Sequence, residues 1–460
     1  MFAQATKQIW FNELAATYKL AWPIVLTQLL HTSLGATDVV MMGWLGPEFL
    51  AAGATATSYY FTFNVFGMGV VGAVAPLVAQ AIGARNETEV RRSLRQGLWV
   101  ALVLSVIIIL FLFQSKYIFG YLGQSEKSII LSTGYLDYAS WSVLPVLVLI
   151  AFRSFLSGHN DTKVILFITM LGFFLNFAGN YALMFGNWGM PRLELEGAGI
   201  ATASVQFITT GLVIIYILAN KKYRHYEIFV RFWRPDWAKF KEILRVGVPI
   251  GLTIMAEVGL FSAAIFLFGM LSIEETAAHA VALQIASITF MIPYGLSMAT
   301  TVRVGLAYGA GDFAGVKYAG WVSILLALMI MSVTCSLFIF APEIFVHLFL
   351  AENNINNTSS IAFAISYLAI AGVFQLSDGV QVVTASALRG LSDTKTPMVI
   401  AIIGYWVFGL PISYLLGFTF EMRGVGIWIG LAAGLTIAAI FLGARFIMRE
   451  RLGLLKSLQQ

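Results

Sequence analysis

The stretch from Tyr18 to Ala56, YKLAWPIVLTQLLHTSLGATDVVMMGWLGPEFLAAGATA, occurs twice in this chain. Shifted by 226 positions, Leu244 to Ala282 reads LRVGVPIGLTIMAEVGLFSAAIFLFGMLSIEETAAHAVA. Pro23, Ile24, Leu26, Thr27, Gly43, Leu45 and Ala52 recur as Pro249, Ile250, Leu252, Thr253, Gly269, Leu271 and Ala278. The register then holds without a gap to Gly83 and Val90 against Gly309 and Val316. Each copy is apolar for long enough to cross a bilayer. Each also carries an ionisable group inside that run: His31 and Asp38 in the first, Glu257 in the second. Glu257 falls opposite His31, and Asp38 falls opposite Ala264. Two halves therefore share a scaffold and place their charges differently.

Such apolar runs continue along the whole chain. Hydrophobic residues make up 59% of it and charged residues 11%, against roughly 25% charged in a soluble domain. This is the composition of a polytopic membrane protein. Pro23, Pro145, Pro249, Pro293 and Pro411 lie inside apolar runs, where barrel strands would alternate with period two, so the spans read as kinked helices. Twelve are expected, at 19–43, 53–80, 95–113, 133–156, 163–186, 197–219, 245–271, 278–308, 318–341, 361–389, 396–419 and 424–447. The one cysteine, Cys335, excludes an intrachain disulfide and a cysteine metal cluster. The first residues lack the basic region and small-residue cleavage site of a removable signal peptide.

Loop charge sets the expected orientation. Grouping the loops alternately, 24 Lys and Arg fall on one side, Lys7, Arg231 and Lys456 among them, against Lys116, Lys127, Arg192 and Arg423 on the other. Both termini are therefore expected in the cytoplasm. The segment KKYRHYEIFVRFWRPDWAKFKE links the halves, and its Trp and Arg residues mark an amphipathic stretch at the cytoplasmic interface. A net charge of +5 distributed in this way follows the membrane and carries no sign of nucleic-acid binding.

A second repeat supports the division into two. LSGHNDTK (156–163) returns as LRGLSDTK (388–395), and GAGI (197–200) returns as GVGI (424–427). Six spans per half make the repeats parallel, so the expected lobes are residues 1–232 and 233–460, related by an axis along the membrane normal. Pseudo-symmetric halves of this kind are a transporter signature, with a substrate site between them and access alternating by rocking.

An ionisable group in the bilayer core is a functional candidate by its cost alone. Of the 23 acids only Asp38, Glu257 and Asp378 lie well inside spans. Asp38 is about three-quarters of the way along an outward-running span, in the outer half, and Asn176, Asn180 and Thr202 fall at similar depth. Asn176 and Asn180 are four apart and share a helix face. A carboxylate, two carboxamides and a hydroxyl suit a proton or a hard cation, while asparagines in a bundle also serve as interhelical hydrogen bonders. Glu257 and Asp378 fall near mid-span with no Lys or Arg expected at their depth. Each must stay protonated or bind a cation. His31, seven residues before Asp38, is a possible relay or a packing residue. Sixteen Met and 14% aromatics could line an adaptable greasy cavity. GAGD (309–312) lacks the Lys-Ser/Thr of a phosphate loop, so neither ATP nor a resident cofactor is expected, and transport must draw on a gradient. No nucleophile or metal constellation marks an enzyme.

The sequence resembles the multidrug and toxic compound extrusion (MATE) transporters, and among them the NorM-like bacterial group. The likeness rests on PIVLTQ…TDVVMMGWLG in span 1, PLVAQAIGARN between spans 2 and 3, the paired DTK turns, Glu257, and Asp378 within QLSDGVQVVTASALRG. The resemblance implies a V-shaped pair of six-helix lobes in the bacterial inner membrane, exporting organic cations in exchange for Na⁺ or H⁺. It implies that Asp38, with Asn176, Asn180 and Thr202, forms the N-lobe protonation or cation site, and that Glu257 and Asp378 form a C-lobe cation pair. It gives His31 no role. Two complete lobes make a monomer sufficient, with membrane lipid around it. The alternative expectation is a flippase for lipid-linked precursors, which would favour a cationic cavity over these acids.

Overall fold

A computed structural model describes residues 2–230, 232–350 and 358–455. Arg231 and Lys456, counted above among the cytoplasmic bases, lie outside them. The described residues contain helices, turns and no strand. Among the described residues twelve helical spans are long and apolar enough to cross a membrane, which is the expected number. Helices satisfy their backbone donors and acceptors internally, as hydrocarbon requires.

The helices outrun the expected spans because hydropathy marks only the part inside lipid. Helix α1 (Phe2–Leu45) has 44 residues; at about 1.5 Å per residue it is roughly twice the length that a hydrocarbon core of about 30 Å needs. Its first turns pack by Trp10 edge-on to Tyr318, with ring centroids 5.7 Å apart. Glu13 receives both Nε (2.9 Å) and Nη2 (2.5 Å) of Arg303. Three spans are broken. The second runs as α2 (Pro47–Val71) and α3 (Val74–Gly83), the third is α4 (Glu87–Leu112), and α5 (Ser115–Tyr121) lies between spans. The fourth is α6 (Glu126–Ala139), a 3₁₀ turn at Ser140–Ser142, and α7 (Val143–Gly158), with Pro145 in the first turn of α7. The fifth and sixth are α8 (Thr162–Phe185) and α9 (Glu194–Ala219), followed by the single turn α10 (Lys221–Arg224).

In the second half α11 (Trp237–Gly269), α12 (Ile273–Gly309) and α13 (Phe313–Phe340) are continuous, α11 and α12 running through Pro249 and Pro293. After α14 (Pro342–Val346) comes α15 (Thr358–Gly390). The eleventh span alternates α16 (Lys395–Ile402), a π segment at Ile403–Gly409, α17 (Leu410–Tyr414) and a second π segment at Leu415–Thr419. Pro411 has no N–H to donate, and wide turns of this kind accommodate such a break. Helix α18 (Arg423–Ile447) ends the bundle.

The repeats of the sequence are repeats of turn geometry. Asn86 caps α4 by accepting from Glu89 N at 3.1 Å, and Asp312, 226 positions later, caps α13 by accepting from Gly315 N at 2.8 Å. The preceding residues, Arg85 and Gly311, have φ of 54° and 70°. The two DTK turns agree in the same way: Asn160 and Ser392 have φ of 57° and 59°, and Asp161 N and Asp393 N return to Leu156 O and Leu388 O at 2.9 and 3.1 Å. In GAGI and GVGI the glycines let backbones touch. A Cβ on Gly197 would stand 2.6 Å from the Leu183 carbonyl, and one on Gly426 would stand 2.5 Å from the Leu416 carbonyl carbon.

Packing divides the chain into two compact units, Leu26–Gly251 and Met1–Val25 with Leu252–Gln460. The sequence repeat divides it at 232/233 instead, because α1 and α11 each begin in one unit and continue in the other. The core of the first unit is built on Met41, Met42, Ala52, Tyr135, Leu136 and Leu195. The second surrounds Phe268, Tyr367, Phe374 and Trp428. Each is apolar enough that a polar side chain inside it requires a partner.

Candidate functional site

In the first unit Asp38 lies on α1, 8% exposed. Asn180 of α8 donates Nδ2 to its Oδ1 at 2.5 Å and to Asn176 Oδ1 at 3.3 Å. The helical step of four residues makes this bridge possible, since it puts both carboxamides on one face of α8. Asn176 faces the same carboxyl group. Asn176 Nδ2, Asn180 Oδ1 and Thr202 Oγ1 are buried without hydrogen-bond partners among the described residues, which leaves unused donor and acceptor capacity in the cluster. Thr202 of α9 does not reach Asp38 directly. Tyr135 of α6 stands against Thr202 and within electrostatic range of Asp38 and Tyr60.

Tyr60 extends the cluster further. Its hydroxyl is 2.6 Å from Ser142 Oγ in the break between α6 and α7, and Asn64, one turn along α2, lies beside it with Oδ1 buried and unpaired among the described residues. Sequence reasoning missed Tyr60, Asn64 and Tyr135. The i, i+4 spacing of Tyr60 and Asn64 in an apolar run was the available signal; Tyr135 had none. His31 stands apart, beside a small cavity lined by Thr169, Gln206 and Thr209 of α8 and α9, and within electrostatic range of Arg153.

In the second unit Asp378 of α15 is 3% exposed and Glu257 of α11 is partly buried. The two carboxyl groups lie within electrostatic range of each other. Asp378 Oδ1 has no hydrogen-bond partner among the described residues, and neither have Gln375 Oε1, Gln381 Oε1 and Tyr405 Oη. Tyr405 belongs to the first π segment and faces both acids and Gln381. Gln375 Nε2 is spent on Ala286 O (3.0 Å) and Thr289 Oγ1 (2.5 Å), which fixes the side of α15 that turns towards α12. Gln375, Asp378 and Gln381 are spaced by three residues, and that stripe was legible; Tyr405 depends on the wide turn and was not.

The absence of a neutralising base near Glu257 is corrected. Arg389, placed by the sequence at the end of its span, comes within electrostatic range of Glu257 and Tyr294. A side chain of its length reaches back along the helix. Another acid near a span end is also buried. Glu275 of α12 is 0% exposed and fully partnered, by Tyr367 Oη at 2.8 Å, Arg423 Nε at 2.7 Å and the N–H of Gly424 at 3.2 Å. Its charge is compensated in place, whereas Asp378 Oδ1 has no hydrogen-bond partner among the described residues. Among the described residues no group of three His, Cys, Asp or Glu could hold a metal. Both sites instead offer one or two carboxylates with neutral oxygen donors, a set suited to a proton or a monovalent cation.

The MatE family profile matches residues 23–182 and 249–415, two segments whose starts are separated by the offset of the internal repeat. A probable multidrug resistance protein NorM of Mesorhizobium japonicum is 42% identical over 453 residues, covering 98% of this chain and 97% of the relative. One from Pseudomonas putida is 37% identical, covering 96% of each. Among solved structures, a multidrug resistance MATE family transporter in an outward-facing conformation has a TM-score of 0.87 at 21% identity, covering 96% of this chain and 97% of that one. The eukaryotic MATE transporter AtDTX14 has a TM-score of 0.84 at 20% identity, covering 96% of each. At those identities the structures share the fold; the family is shown by the profile and the relatives. This chain belongs to the MatE family of membrane transporters.

Proposed function

We propose that the protein is a cation-coupled multidrug efflux antiporter of the bacterial inner membrane, exporting amphipathic organic cations in exchange for Na⁺ or H⁺. The observation that carries this reading is Asp378. It is a carboxylate 3% exposed, with an oxygen unpaired among the described residues and a second acid, Glu257, in electrostatic range. A buried acid pair in that state gains by taking up a positive charge, whether a proton, Na⁺ or a cationic substrate. Substrate and coupling ion then compete for the same carboxylates. Binding of one releases the other, and alternating access turns that competition into exchange. Asp38, Asn176, Asn180, Thr202 and Tyr135 form the corresponding site in the first unit. The names of the NorM relatives support drug substrates. The loop charges support cytoplasmic termini, and two complete repeats in one chain support a functional monomer.

The test is efflux of a fluorescent organic cation from proteoliposomes under a Na⁺ gradient or a pH gradient imposed separately. Drive by either gradient is expected and identifies the ion. If neither moves the dye, export of organic cations is excluded and the flippase alternative takes its place.

A further inference from the structure

The linker between the halves is held against α4. Arg95 donates Nε to Ile228 O at 3.0 Å and Nη2 to Glu227 O at 3.3 Å, and Trp99 donates Nε1 to Phe232 O at 3.1 Å with its ring stacked on Phe232. Arg95 is the last charged residue before the long apolar part of α4, and Trp99 lies one turn further in. An Arg-to-Trp boundary of this kind marks the headgroup level of a spanning helix. The linker is therefore fixed at the depth of lipid phosphates and upper acyl chains.

At that depth, between the last turns of α9 and the linker, lies a cavity of about 300 Å³. Ile217, Leu218, Tyr223, Ile228, Phe229 and Val230 form its apolar walls, and Arg224 and Glu227 are its charged groups. Its rim is greasy: Leu218, Phe229 and Val230 are 52%, 40% and 50% exposed. Glu227 is matched by Arg91 at 3.6 Å. Arg224 is exposed, and its side chain makes no hydrogen bond or ion pair among the described residues. Lys221 shares its face of α10 at a spacing of three. Lys222 is engaged elsewhere, over the Tyr223 ring and towards His159 O at 3.3 Å.

We propose that this cavity takes an acyl chain of an anionic phospholipid from the leaflet on the basic side of the membrane, with the lipid phosphate at Arg224 and Lys221. Charge and shape select that occupant together. A free anion satisfies the two bases but leaves the apolar walls bare, and a neutral lipid fills the walls but leaves both bases unmatched. The site is separate from the buried acids, and it stands whether or not the transport reading holds.

Native mass spectrometry of the full chain, purified with phosphatidylglycerol and phosphatidylcholine in equal amounts, tests it. The wild type is expected to retain one phosphatidylglycerol in preference to phosphatidylcholine. Each interfacial base contributes about 1 kcal/mol to anionic-lipid binding, so the double variant K221A/R224A should bind roughly thirtyfold more weakly. Leu218→Trp, which fills the mouth of the cavity and keeps both bases, should lose the lipid with an unchanged melting temperature. Equal retention of the two lipids by the wild type, or undiminished retention by both variants, overturns the proposal. So does displacement of the phosphatidylglycerol by millimolar inorganic phosphate, which would mark a site for the anion alone.

Discussion

Asp38 and Asp378 are both buried acids in spanning helices of repeat-related units, and their surroundings differ. Asp38 has no second acid acting on it among the described residues and is held by carboxamides, with Asn180 donating to it at 2.5 Å and Tyr135 in electrostatic range. Asp378 has a second acid in range, an oxygen without a partner among the described residues, and Arg389 further along its own helix within reach of Glu257. Neutral donors can satisfy a carboxylate in place, whereas an acid beside another acid is satisfied by an added positive charge. One scaffold therefore carries an acid held by neutral donors and an acid set beside a second acid, and the proposed loading role falls to the latter. The same contrast recurs at the DTK turns. Asp161 accepts from the hydroxyls of Tyr216 and Tyr223, both at 2.7 Å, while Asp393 is bound by Arg445 at 2.6 and 3.1 Å.

The contrast makes graded predictions. Asp378→Asn should bring gradient-driven efflux down to the leak of protein-free liposomes while the protein still inserts and folds; wild-type efflux would end the loading role of the second unit. Asp38→Asn should cost less but still a large factor, about 5–150-fold in the coupling between ion and substrate. Full retention of coupled export would reduce the first site to a structural one. Arg389→Gln removes a positive charge near Glu257, so the concentration of driving ion at half-maximal efflux should fall, by about tenfold for a partly screened pair. A rise in that concentration would mean that Arg389 supports the acid pair rather than opposing its loading.

Two smaller effects test the first unit alone. Asn180→Ala strips Asp38 of the carboxamide donor at 2.5 Å and should lower stability by about 1–3 kcal/mol, read as a drop in melting temperature in detergent. No drop would mean that Asp38 is satisfied by its other neighbours. The turn residue His159 is held below the usual histidine range, chiefly by burial, with Nε2 at 2.9 Å from the Tyr226 hydroxyl. A histidine whose folded pKa is depressed is protonated first in the unfolded chain. Its contribution is complete above the ordinary value of about 6.5 and is lost as pH falls below it. The melting temperature should therefore decline on acidification, and the decline should be shallower in His159→Gln. The second copy has Leu391 at this position and offers no such dependence.

Span number, the repeat offset, the two clusters around Asp38 and Asp378, and the turn motifs were all legible in the sequence. Each rests on a local rule: length of apolar run, residue spacing on a helix face, or a backbone conformation needed at a turn. Tyr135 and Tyr405 were not legible, because each reaches its acid from a different helix, and Tyr405 does so from a π segment that no spacing rule anticipates. Arg389 was read as a loop-side base since its Cα position is one; only the packed structure shows its side chain within range of Glu257. Glu275 passed for a rim acid for the same reason.

What the chain determined by itself was a doubled bundle of twelve membrane helices with acids where hydrocarbon makes them costly, since hydropathy and helical period act along the sequence. Tertiary structure decided how each acid is answered: by carboxamides at Asp38, by Tyr367 and Arg423 at Glu275, and at Glu257 and Asp378 by a second acid, with Tyr405 and the Arg389 guanidinium in electrostatic range. Partnership depends on which helices meet, and at these sites the partners are separated by 92 to 148 positions in the chain.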